Sequence, residues 1–112
     1  MRVTTDLWVS ALVRRAFSSG GFAAVERRGA AEAGAVFVVT RNRLGDVQLY
    51  GPGPQSSYET DRPDDRLFAA LVAGDQEAVD KKLERELRFD PDIWVVELEV
   101  ADPAAFMQIV ES

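Results

Sequence analysis

AVFVVTRNRLGDVQLY, residues 35 to 50, decides the fold class. Its first seven residues are mostly small, aromatic or β-branched, the pattern of a strand buried on both faces. NRLGD then supplies the asparagine, glycine and aspartate of a hairpin loop, and VQLY alternates apolar with polar as a returning antiparallel strand does. Upstream, FAAVERR (22 to 28) reads as another strand, joined through AAEAG. Residues 22 to 50 are therefore expected to form a β-meander, with AVFVVTR as its central strand.

Working outward, Val9, Leu12, Val13, Ala16 and Phe17 recur at helical spacing, with Asp6, Ser10 and Arg14 on the opposite side. This predicts an amphipathic helix over residues 5 to 18, capped by Thr4 or Thr5 and ended by Gly20-Gly21. GPGPQSS (51 to 57) reads as a loop, because its prolines lack an amide donor. LFAALV fits either a buried strand or a short helical turn, and the strand is favoured. Asp75 opens DQEAVDKKLERELRF, where Val79, Leu83 and Leu87 line one side and Glu77–Lys81 and Lys82–Glu86 pair at i, i+4, a second helix. IWVVELEV (93 to 100) sets Trp94, Val96, Leu98 and Val100 against Glu97 and Glu99, a strand with one wet side. Asp102 and Pro103 begin a short helix carrying Phe106, Ile109 and Val110. The sum is a single α+β domain over residues 1 to 112. Its sheet is expected to be mostly antiparallel with four to five strands, beside two main helices and a short C-terminal helix.

Composition limits the chemistry. The 112 residues include neither cysteine nor histidine, which removes the thiolate and imidazole ligands of zinc, copper, haem and iron–sulfur sites. A histidine-activated nucleophile is excluded, and acid–base work falls to carboxylates, lysine or tyrosine. No cofactor is expected, and any protein-bound metal would be magnesium, manganese or calcium on oxygen ligands. No apolar run approaches the ~20 residues that cross a bilayer, and the lack of cysteine agrees with a cytoplasmic chain. Residues 1 to 56 hold 7 basic against 4 acidic side chains and residues 57 to 112 hold 6 against 15, so the halves carry +3 and −9. Such asymmetry allows a charge-complementary partner, although two halves that fold together also interleave their surfaces.

Three places carry residue types from which a site could be built. In RELRFDPDIW (85 to 94) the second helix must stop and hand over to a strand, and Asp90-Pro91-Asp92 matches a type I turn. The chemical reading of the same stretch has Asp90 and Asp92, with Glu97 or Glu99, on a divalent cation and Arg85 or Arg88 on a phosphate. Tyr50, Gln55, Ser56 and Tyr58 in and around GPGPQSS form a candidate polar rim, although the loop lacks any phosphate-loop spacing. Arg14-Arg15, Arg27-Arg28 and Arg41 with Arg43 would contact RNA only if they aligned, and aromatic interleaving is poor there. Trp8, Phe17, Phe22, Phe37 and Trp94 lie in apolar periodic segments and are assigned to the core.

TTDLWVSALVRR, GGFAAVERRG followed by EAGAVFV, LYGPGPQSSY, DDRLF and above all ERELRFDPDIWVVELE resemble, over essentially the whole chain, small bacterial and chiefly alphaproteobacterial proteins grouped as domain of unknown function 1491. The resemblance implies one cytoplasmic domain standing alone, and it brings no catalytic residues to carry over. The functional expectation is a non-enzymatic binding or assembly protein with an unidentified protein partner or a second copy of itself. The alternatives are a hard-metal hydrolase or phosphate-ligand protein at the Asp90/Asp92 corner and, more remotely, RNA contact.

Overall fold

Apolar residues spaced for one buried stripe per helix and two buried faces per strand build three layers, a mixed sheet between two helices. The computed structural model describes residues 3–54 and 66–111. The elements are α1 (Thr5–Ser18), β1 (Phe22–Arg27), β2 (Val36–Arg41), β3 (Val47–Pro52), β4 (Leu67–Gly74), α2 (Gln76–Phe89), β5 (Trp94–Glu99) and β6 (Gln108–Ile109), with a 3-10 turn at Pro103–Ala105. No helix among the described residues is long and apolar enough to cross a membrane.

The strand order is β1-β5-β2-β3-β4-β6. β2, β3 and β4 form an antiparallel meander, with Val38 opposite Tyr50 and Thr40 opposite Gln48. The expected meander over 22 to 50 is corrected at its first step, because β5 lies between β1 and β2. It runs antiparallel to β1 and parallel to β2. The sheet therefore has six strands rather than four to five, and its parallel pairs β2–β5 and β4–β6 make it mixed. A second correction concerns the C-terminus. Asp102 does cap, accepting from the Ala104 amide at 3.2 Å, but the helix is only the 3-10 turn. The chain then turns extended at Gln108–Ile109 to pair with Leu67 and Phe68.

α1 covers one face of the sheet. Val9, Leu12 and Ala16 pack there against Val38, Val96, Leu98 and Trp94, all buried. Thr4 caps the helix by accepting from the Leu7 amide. The free Thr5 and Asp6 amides donate to the Glu32 and Ala31 carbonyls at 3.1 and 2.9 Å, so the β1–β2 connection satisfies the helix start. At the other end Gly20 takes φ +88, and the Gly21 amide closes onto the Ala16 carbonyl at 2.9 Å.

α2 covers the opposite face over the meander. Val79, with Leu83 and Leu87 beside it, packs on Phe37, Val39, Leu49 and Val95. Asp75 caps it, accepting from the Ala78 amide at 2.8 Å. β5 is thus covered on both sides at Val95 and Val96, and its expected wet side is confined to Glu97 and Glu99. The GPGPQSS loop starts later than expected, since Gly51 and Pro52 extend β3 against Ala69 and Phe68.

Candidate functional site

RELRFDPDIW folds as a corner. The Asp90 amide donates to the Glu86 carbonyl at 2.9 Å, closing α2, and the Asp90 carboxylate accepts from the Asp92 amide at 3.0 Å. Arg27 reaches across from β1 to donate to the Pro91 carbonyl at 2.8 Å. Arg85, Arg88, Asp90 and Asp92 are all exposed, and neither arginine forms an ion pair among the described residues. Glu97 and Glu99 lie toward the other end of β5. At about 3.3 Å per residue Glu97 stands roughly 16 Å along the strand from Asp92, so the two carboxylate groups are not brought together. Among the described residues no group of three or more acidic side chains is arranged to hold a metal ion.

Of the candidate polar rim, Tyr50 is a β3 residue only 9 % exposed, and burial pushes its phenol up from the ordinary value. Gln55, Ser56 and Tyr58 lie outside the described residues. The arginine doublets are divided by the topology. β1 runs opposite to β5 and β2, which puts Arg27 and Arg28 at one end of the sheet and Arg41 and Arg43 at the other. Arg28 pairs with Asp6 at 3.1 Å and lies over the Trp94 ring, while Arg15 donates to the carbonyls of Ala105 and Phe106.

The structure assembles two features that local sequence patterns do not reveal. The first is a carboxylate cluster on the α2 side of the sheet, which the start of α2 reaches through Gln76. The pairing of β1 with β5, which sets Phe22 opposite Glu99 and Ala24 opposite Glu97, brings the Glu26 carboxyl beside Glu97, which also neighbours Glu99. Arg41 donates to Glu97 Oε2 at 3.3 Å and to Gln76 Oε1 at 2.8 Å, and Gln76 donates to Asp80 at 2.8 Å. A carboxyl–carboxyl hydrogen bond needs a proton, and three acids face a single guanidinium. The hydrogen bond with Glu97, burial and the charge of Glu97 together raise Glu26, and the same causes raise Glu99. For Glu97, burial pushes upward, but hydrogen bonds from Glu26, Glu99 and Arg41 outweigh it and leave the carboxyl below its ordinary range. Alternation along β5 hints at Glu97 and Glu99, whereas Glu26 and Arg41 join them only because β5 is inserted between β1 and β2.

The second feature is the outer edge of β1, which has β5 on one side and no strand on the other among the described residues. Phe22 and Val25 are 43 % and 37 % exposed along it, and the half-exposed Phe17 on α1 meets Phe22 edge to face at 5.7 Å. Phe17 and Phe22 were assigned to the core by their periodicity. The structure corrects this, because Phe17, in the last turn of α1, and Phe22, on the outermost strand, are both substantially exposed. Trp8, Phe37 and Trp94 are core or packed against it.

A family model described as "Protein of unknown function (DUF1491)" matches residues 3–108. A protein from A. tumefaciens, solved in solution, is 45 % identical, with a TM-score of 0.86 over 100 % of this chain and 98 % of that one. The crystal structure of a DUF1491 family protein from Caulobacter crescentus CB15 is 36 % identical, with a TM-score of 0.78 over 96 % of this chain and 99 % of that one. An NMR structure of a DUF1491 family protein from the same organism gives 37 %, 0.79 and 98 % of each chain. No curated protein matches the chain.

Proposed function

This chain belongs to the DUF1491 family of proteins of unknown function, and from that premise we propose that it is a small non-enzymatic assembly protein that pairs with a second copy of itself along the open edge of β1. The observation that carries the reading is the strand edge unpaired among the described residues and flanked by exposed Phe17, Phe22 and Val25. An open strand edge presents a row of free amides and carbonyls, and proteins that do not use such an edge usually blunt it. β6, at the opposite edge, is blunted by being two residues long, whereas β1 offers the apolar stretch Phe22–Val25 ahead of its bulge and the charged Glu26 and Arg27. Antiparallel pairing of an edge with its own copy satisfies both rows at once and generates a twofold axis, the commonest symmetry among oligomers. The absence of cysteine fits a reducing cytoplasm as the compartment.

Sedimentation or light scattering at protein concentrations up to about 500 μM tests this, a range that reaches weak dimers. The mass rises toward twice the chain mass with concentration, and Val25→Lys, which sets like charges against each other across the twofold, holds it at one chain mass without changing the circular dichroism. A wild-type chain that stays at one chain mass throughout, or a Val25→Lys chain that dimerises equally well, overturns the reading.

A further inference from the structure

The two sides of the sheet differ in charge where β1 meets β5. On the α1 side Ala23 and Val25 stand opposite Leu98 and Val96, all apolar. On the α2 side Ala24 stands opposite Glu97 and Phe22 opposite Glu99, and the Glu26 carboxyl lies against Glu97. Three acids are therefore banked along the two strands nearest the edge that is open among the described residues. The guanidinium that faces them is Arg41, which donates to Glu97 at 3.3 Å from β2, on the far side of β5. α2 adds Gln76, which is uncharged and has Asp80 behind it. Arg27, the next residue along β1, donates to the Pro91 carbonyl at 2.8 Å. Glu26 is thus the outermost of the three acids, and it is exposed.

Pairing β1 with a second copy doubles this arrangement. With Val25 on the twofold, Ala24 stands opposite Glu26 of the second copy, so the two Glu26 side chains lie on one face as diagonal neighbours, roughly 7 to 8 Å apart. Behind each come Glu97 and Glu99, and one band across the seam holds both sets of carboxylates with only the two Arg41 guanidiniums to face them. Like charges set close across a strand pair oppose the pairing. Resting on the self-association reading, we propose that protonation of Glu26 controls it, so that the β1 edge pairs with its copy in mildly acidic solution and loosens toward neutral pH. The sign follows from linkage. In the single chain the hydrogen bond with Glu97, burial and the charge of Glu97 already raise Glu26, and a second set of carboxylates at the seam raises it further. Association therefore takes up protons, and the dimer is tightest below the raised value and weakens as the pH rises through it.

Sedimentation equilibrium of the full chain from about pH 8 down to about pH 5, at constant ionic strength, tests this over a range that reaches toward the ordinary carboxylate value. Glu26→Gln is measured beside Glu84→Gln, which changes the net charge equally. Glu84 is an exposed acid on α2, which packs over β3 and β4 rather than β1. The wild-type Kd falls about three- to fivefold from the basic to the acidic end, the size of a like-charge penalty across strands. At the basic end Glu26→Gln associates as tightly as the wild type does at the acidic end, and its Kd no longer follows pH, whereas Glu84→Gln keeps the wild-type dependence. A dimer whose Kd is the same across the range, a Glu26→Gln chain that keeps the dependence, or a Glu84→Gln chain that loses it equally would overturn the regulation and leave the dimer standing. A chain that stays at one chain mass at every pH removes the dimer itself, and the regulation with it.

Discussion

Replacing Gly29 by alanine tests how the β1–β2 connection is held to the start of β5. A Cβ on Gly29 would sit 2.0 Å from the Asp92 carbonyl oxygen and 2.6 Å from the carbonyl of Ile93. All the atoms it meets are backbone, so no rotamer change relieves the clash and the two segments must separate by about 1 Å, far beyond what close-packed interiors absorb. Two hydrogen bonds span that seam, from the Ala30 amide to the Asp92 carbonyl at 2.9 Å and from the Trp94 indole to the Ala30 carbonyl at 2.8 Å. Losing both, with the fully buried Trp94 left without its acceptor, costs about 3 to 5 kcal/mol. That is a large share of the roughly 5 to 15 kcal/mol that holds a domain folded. At about 4 °C per kcal/mol for a chain of this size, the melting midpoint falls by about 12 to 20 °C. The control is Gly45→Ala at the hairpin tip, where φ is +85 and a Cβ meets nothing within 4 Å; its cost is conformational only, about 1 to 2 kcal/mol. Urea unfolding followed by tryptophan fluorescence measures both. A Gly29→Ala loss no larger than that of Gly45→Ala would refute the argument from backbone contact.

Glu26→Gln tests the carboxylate cluster. Glu26 is raised from 4.5 in the folded chain, so its ionised form opposes folding, and the penalty is complete above the raised value and vanishes as pH falls through it toward 4.5. The variant is therefore more stable than wild type at pH 7.5, by no more than about 1 kcal/mol for so exposed a group. That advantage shrinks as the pH approaches 4.5, and a gap that is constant with pH, or of opposite sign, would count against the shared proton. Asp75→Ala removes the acceptor of the Ala78 amide and lowers stability by about 1 kcal/mol, whereas Asp75→Asn keeps most of it; equal losses in the two variants would show that the cap is not the cause.

What the sequence discloses here is local. The α1 stripe at Val9, Leu12 and Ala16, its stop at Gly20, the Asn42–Asp46 hairpin, the Asp75 cap and the Asp90–Asp92 corner all rest on contacts within a few residues, and each is where its pattern places it. β5 was legible as a strand, but not its position between β1 and β2, because register with strands more than fifty residues upstream leaves no mark on its alternation. The approach of Glu26 to Glu97 is likewise a property of the β1–β5 pair rather than of FAAVER. Phe17 and Phe22 show the limit of periodicity, which marks a side of an element but not whether anything lies opposite it.

The insertion of β5 also bears on the order in which the chain can assemble. β2, β3 and β4 pair with their sequence neighbours, so their loops close early and at little entropic cost. Among the described residues β1 has no strand partner except β5. During synthesis, therefore, it waits for some seventy further residues, and its amides and apolar side chains stay available to other chains through that interval. A topology dominated by such distant pairing folds slowly and depends on its latest-made long strand. β5 is in that sense the keystone of the sheet, and the strand it fastens last is the one whose outer edge remains open in the finished molecule.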